Sequence, residues 1–111
     1  MISNQNLLLM DCVEQIRDVI VSEVNPDKII LFGSRARGDY CEDSDYDILI
    51  LKSQFKNRRK TLKDLRIRLY KTGVCVAMDI LLLDTAKYVE LSDVNGLVYK
   101  DIKQEGRVIY G

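Results

Sequence analysis

Three short apolar runs set the limits on how this chain can fold: Lys28–Phe32, Asp45–Leu51 and Val74–Leu83. Each is too short for an ordinary helix, rich in Ile, Val and Leu, and bounded by turn residues, so each reads as a strand. The segments between them carry the 3.6-residue period. Residues 5–24 place Leu9, Val13, Ile16, Ile20 and Val24 on one stripe, and Asn25-Pro26 ends that helix because proline disfavours helix in the residue before it. Residues 57–72 form a second helix with Leu62, Leu65 and Leu69 on its apolar face, stopped by Gly73. Residues 85–105 read as helix in two pieces broken near Asn95-Gly96, and residues 107–110 as a short last strand. Helices alternating with strands predict an α/β fold, a small mixed sheet of three to four strands covered by helices. The run Val74–Leu83 is apolar on both faces, which predicts a central strand. A length of 111 residues suits one domain, residues 1–111.

Composition narrows the chemistry. The chain has no histidine. That removes the commonest general base and transition-metal ligand, and with it serine-hydrolase triads and zinc proteases in their usual forms. A metal here must be hard and oxygen-bound: magnesium, manganese or calcium. Cys12, Cys41 and Cys75 are scattered and form no CxxC pair, so they are expected as small buried or half-buried residues. No apolar run approaches the roughly 20 residues that span a bilayer, and the N-terminus lacks a basic n-region. A cytoplasmic protein with no membrane partner is the expectation.

The charges balance at 17 acids and 17 bases, but they are segregated. Residues 39–47 carry five acids and no base; residues 52–71 carry nine bases against one acid, Asp64. The basic run fits a solvated helix face, and the neutral total disfavours direct nucleic-acid binding.

The acids have a pattern. Asp45 and Asp47 stand two apart on a strand, so both side chains leave one face, with Tyr46 and Ile48 turned into packing. Adjacent carboxylates raise each other's pKa unless a cation lies between them. Magnesium suits such a pair, because it takes one or two carboxylates and completes its octahedron with water and phosphate. Gly33-Ser34 follows the first strand directly. Ser34 is a good N-cap for a turn of helix over residues 35–37, and the N–H groups there can receive an anion. Gly33 and Gly38 have Walker A separation, but Asp39-Tyr40 occupy the places of the required Lys and Ser/Thr, so that reading fails. Asp79 lies inside VCVAMDILLL, where an unpaired buried carboxylate is expensive. It is either a third ligand or proton acceptor, or a residue at the solvent edge.

Together, Gly33-Ser34, Asp45-Tyr46-Asp47 after ten residues, and a later strand acid at Asp79 resemble the polymerase-β-like nucleotidyltransferase superfamily. Within it, "GSRARGDYCEDSDYD" and the ending "IKQEGRVIYG" are similar to the minimal nucleotidyltransferases, one-domain proteins often paired as antitoxins with HEPN ribonuclease toxins. Tyr46 is bulkier than the aliphatic residue more usual between the two aspartates. The resemblance implies a polymerase-β-like nucleotidyltransferase fold and nucleotidyl transfer from ATP or another nucleoside triphosphate, with release of pyrophosphate. It implies that Gly33 and Ser34 bind the triphosphate, with Arg35 and Arg37 as further candidates for phosphate contact. It also implies that Asp45 and Asp47 hold two Mg2+ ions (Mn2+ as a substitute), and that Asp79 shares one and helps activate the acceptor. The expected function is an antitoxin that transfers AMP to a tyrosine of a HEPN toxin. The alternatives are an antitoxin that acts by binding alone, and a nucleotidyltransferase acting on a small-molecule hydroxyl.

Overall fold

The computed structural model describes residues 12–111. Helix α1 (Val13–Val24) leads into strand β1 (Lys28–Phe32), a single helical turn α2 (Ser34–Arg37) and strand β2 (Tyr46–Lys52). Helix α3 (Arg58–Lys71), strand β3 (Met78–Asp84), helices α4 (Thr85–Leu91) and α5 (Val98–Glu105), and strand β4 (Arg107–Tyr110) complete the chain. The expected stripe of the first helix holds from Val13 onward; Leu9 and the rest of residues 5–11 lie outside the described residues.

The four strands form one mixed sheet in the order β3-β2-β1-β4. β1 pairs antiparallel with both β2 and β4, whereas β2 and β3 run parallel. Strand alternation divides the core in two. On one face Ile29, Leu31, Tyr46, Ile48, Ile50 and Ile80 pack under Ile16 and Ile20 of α1 and Leu65 and Leu69 of α3. On the other, Ile30, Leu49, Leu51 and Leu83 pack under Ile102 of α5, with Tyr88 and Tyr99 alongside. Burying each such side chain contributes roughly 1.5–3 kcal/mol. At the end where β2 and β3 begin, Asp45 and Asp79 stand exposed and Asp47 half-buried.

Two expectations about β3 need correction. The strand begins at Met78, not Val74: residues 74–77 run alongside the sheet first, with Val74 buried below α3 and its N–H bonded to Leu69 O at 3.0 Å. Moreover β3 is an edge strand, and the central pair is β1 and β2. Its apolar residues on both sides report that helices cover both faces, which is a separate matter from whether both edges are paired. The cysteines also depart from expectation: Cys12 is half-buried, but Cys41 and Cys75 are exposed.

Candidate active site

Asp47 and Asp79 are register partners on the parallel strands β2 and β3. Paired residues point to the same face of a sheet, with strands about 4.8 Å apart. The match extends along both strands: Asp47, Leu49 and Leu51 face Asp79, Leu81 and Leu83. The two segments read DILIL and DILLL, and this internal likeness is a signal from which the pairing could have been inferred. The leucines lie under α4 and α5, and the aspartates stand beyond them at the open end. Asp47 is half-buried and Asp79 is exposed, at the solvent edge of the sheet. Asp45 precedes β2 by one residue and is also exposed.

Electrostatics tie the three together. The Asp47 carboxyl is pushed above its ordinary value of 3.8, first by burial and then by the negative charges of Asp79 and Asp45; Arg37 partly offsets this. Such a cluster of like charge favours a bound cation. Among the described residues, however, no three acidic, histidine or cysteine side chains are arranged to hold a metal ion by themselves. The donor set is all hard oxygen, which fits magnesium, a cation that draws much of its coordination from water and phosphate.

Gly33 completes the site from the other side. Phe32 pairs with Asp47 across β1 and β2, and the chain then turns at Gly33 with φ +72°. A Cβ at this position would overlap Asp47 Oδ2 and lie 3.1 Å from its Cγ. Only glycine accommodates both the backbone angle and the carboxylate. Gly33, not Ser34, is the N-cap; Ser34 is the first helical residue of α2. The reason is the left-handed φ, which places the entry to the helix one residue earlier. Gly33 O accepts from the N–H groups of Ala36 and Arg37, both at 3.1 Å.

The two arginines separate. Positions two apart on a helical turn diverge by about 200°. Arg37 lines a cleft of about 260 Å3 together with Phe32, Gly33, Asp47, Asp101 and Glu105, and its guanidinium meets Asp39 at 3.4 Å and Glu105 at 3.7 Å. Arg35 turns to the 40–45 loop, donating to Ser44 O and Glu42 O, both at 3.1 Å, between the rings of Tyr40 and Tyr46. The far wall of the cleft comes from α5, where Val98, Asp101, Ile102 and Glu105 share one face at helical spacing. These four residues are additional to the site residues expected from the sequence, although their i, i+3, i+4, i+7 pattern marks them as one side of a helix.

Known proteins share this family and this fold. A profile of the family described as "Polymerase beta, Nucleotidyltransferase" matches residues 14–111. The chain belongs to this nucleotidyltransferase family. A candidate protein adenylyltransferase of Methanocaldococcus jannaschii is 37% identical over 84 residues, 75% of this chain and 77% of the relative. A second one from the same organism is 49% identical over 41 residues, and that match spans 37% of this chain and 41% of the relative's length. Among solved structures, a toxin–antitoxin complex with AMP-PNP matches with a TM-score of 0.65 at 18% identity, covering 88% of this chain and 72% of that one. A candidate nucleotidyltransferase of Sulfolobus solfataricus matches at 0.56 and 22% identity, covering 86% and 74%. The structural likenesses confirm the expected fold; the family match confirms the expected nucleotidyltransferase. Among the described residues no helix is long and apolar enough to cross a membrane.

Proposed function

We propose that this nucleotidyltransferase is an antitoxin that transfers AMP from ATP to a tyrosine hydroxyl of a HEPN-domain toxin. The observation that carries the reading is the pairing of Asp47 with Asp79 beside Gly33, with Asp45 at the same rim. The relatives named for protein adenylyl transfer and the toxin–antitoxin neighbour support the choice of a protein acceptor.

Asp45, Asp47 and Asp79 would hold two Mg2+ ions, which when bound polarise the phosphoryl oxygens and favour ionisation of the acceptor. The backbone of Gly33 and Ser34 binds the triphosphate, and Gly33 lets it come close because no side chain intervenes. Arg37 adds charge to the phosphates from the cleft. The acceptor oxygen attacks the α-phosphorus, its proton passes to Asp79, and the bond to the β-phosphate oxygen breaks with departure of pyrophosphate. Asp79 suits this part because it is exposed on the edge strand, where a partner protein can reach it.

The experiment is incubation of the purified partner with this protein, ATP and Mg2+, followed by intact-mass measurement. A gain of whole AMP units, located on tyrosine, supports the reading. A partner relieved of toxicity by the Asp45→Asn/Asp47→Asn protein as fully as by the native one would instead favour action by binding alone.

A further inference from the structure

Arg35 is enclosed more completely than any other arginine of the site. Its carbon Cζ lies 4.4 Å from the centre of the Tyr40 ring and 4.2 Å from that of Tyr46. From the same guanidinium Nη2 donates to Glu42 O and Ser44 O, and Nε donates to Ser44 O at 3.3 Å. A planar guanidinium can stack on two faces and fork to two carbonyls at once; an ammonium cannot. The loop so held is otherwise sparsely tied. Its own bonds are Ser44 N–H to Cys41 O at 3.1 Å and Cys41 N–H to Ser44 Oγ at 3.0 Å. Four residues of this loop and strand, Tyr40, Glu42, Ser44 and Tyr46, therefore converge on one side chain, and Asp45 stands between the last two.

We propose that Arg35 is a positioning residue. Clasped between Tyr40 and Tyr46, it holds the 40–45 loop so that Asp45 is presented to a divalent cation beside Asp47, and it does not itself touch the triphosphate. This rests on the reading of Asp45 and Asp47 as cation ligands. Tyr46 has a second duty on this account: it is buried under α1 and α3, and so anchors the clasp to the core. The bulk of the residue between the two aspartates then has a purpose, because a smaller aliphatic side chain would leave one face of the guanidinium bare.

The test uses the full chain carrying Arg35→Lys and, separately, Tyr40→Leu, which removes one ring from an exposed position and leaves the charge in place. Hydrogen exchange reads the loop directly. Both variants should lose protection at the amides of Cys41 and Ser44, while those of α1 and β1 stay protected. Mn2+ binding in the presence of a non-hydrolysable ATP analogue, followed by the loss of the free-ion paramagnetic signal, reads the delivery of Asp45. Affinity should fall by about tenfold, as for other residues that orient a ligand without being one. At saturating metal the KM for ATP should stay unchanged. Unchanged exchange, unchanged Mn2+ affinity, or a rise in KM for ATP at saturating metal would each overturn the proposal; the last would place Arg35 on the phosphates. If the native protein binds no Mn2+ with nucleotide, the proposed function fails and the clasp's role fails with it. If the native protein binds Mn2+ and the variants match it, the proposed function stands and only the clasp's role is lost.

Discussion

Gly33 and Asp47 occupy one space: a Cβ on Gly33 would overlap the Asp47 carboxylate. The turn that ends β1 and the acid in the second position of β2 are thus a single structural unit, built by the antiparallel pairing of Phe32 with Asp47. Gly33→Ala should therefore act twice. The strained φ of +72° should cost roughly 1–3 kcal/mol in chemical denaturation. The displaced Asp47 should cost on the order of a hundredfold in nucleotidyl transfer, the scale of a 1 Å misplacement in an active site.

Asp47 should trade stability for activity. Its folded pKa lies above 3.8 because of burial and the charges of Asp79 and Asp45. The folded state without metal consequently binds more protons than the unfolded one as pH rises past 3.8, so the carboxyl's destabilisation grows with pH and is complete above the folded pKa. Asp47→Asn should raise the melting temperature of the metal-free protein at neutral pH and leave it unchanged well below pH 3.8. The same substitution should lower the transfer rate by about a thousandfold. A melting temperature that falls at neutral pH would speak against the electrostatic account.

Asp79 should be separable from the fold. Being exposed on an edge strand, Asp79 bears no burial cost of its own, so Asp79→Asn should raise the neutral-pH melting temperature of the metal-free protein by less than Asp47→Asn does, through relief of its repulsion with Asp47 alone, while transfer falls by about a thousandfold. Rate measurements alongside thermal melts check both halves.

Arg37 should be a binding residue where Arg35 is not. Arg37→Ala removes the guanidinium that lines the cleft with Gly33 and Asp47. The KM for ATP at saturating Mg2+ should rise about tenfold, the loss of one charge-assisted hydrogen bond, with the metal requirement unaltered.

Acid stability should depend on a joint at the opposite end of the sheet. Asp27 Oδ2 accepts from Thr85 Oγ1 at 2.8 Å and Ser53 Oγ at 2.9 Å, and these bonds, that of Thr85 first, hold its carboxyl below 3.8. Such a group contributes stability that is complete above its unfolded pKa and lost as pH falls through the folded one. Asp27→Asn should flatten that part of the stability–pH curve below 3.8 and leave transfer at neutral pH unaffected. Equilibrium denaturation across the acid range checks this.

Much of this was legible in the residues. The stripe of α1 and the basic helix follow from periodicity, because each buries one face; the strand Lys28–Phe32, buried on both, follows from its short apolar run between turn residues, and the two-piece segment after residue 85 from its break near Asn95-Gly96. The same logic misread β3. Helices above and below make both faces of VCVAMDILLL apolar, and nothing in face burial reveals that one edge of that strand is unpaired. Ser34 has the side chain of an N-cap, but the left-handed φ at Gly33 shifts the cap back by one. The divergence of the Arg35 and Arg37 side chains was illegible for a different reason. It depends on the 40–45 loop folding back over α2, and a loop carries no period from which that path could be read.

The most direct measurement is the intact mass of a HEPN-domain partner after incubation with this protein, Mg2+ and each of the four nucleoside triphosphates. Addition of whole AMP units from ATP, abolished by Asp45→Asn/Asp47→Asn, is the outcome expected of a site built from Gly33, Asp45, Asp47 and Asp79. A partner that stays unmodified with all four triphosphates would contradict it.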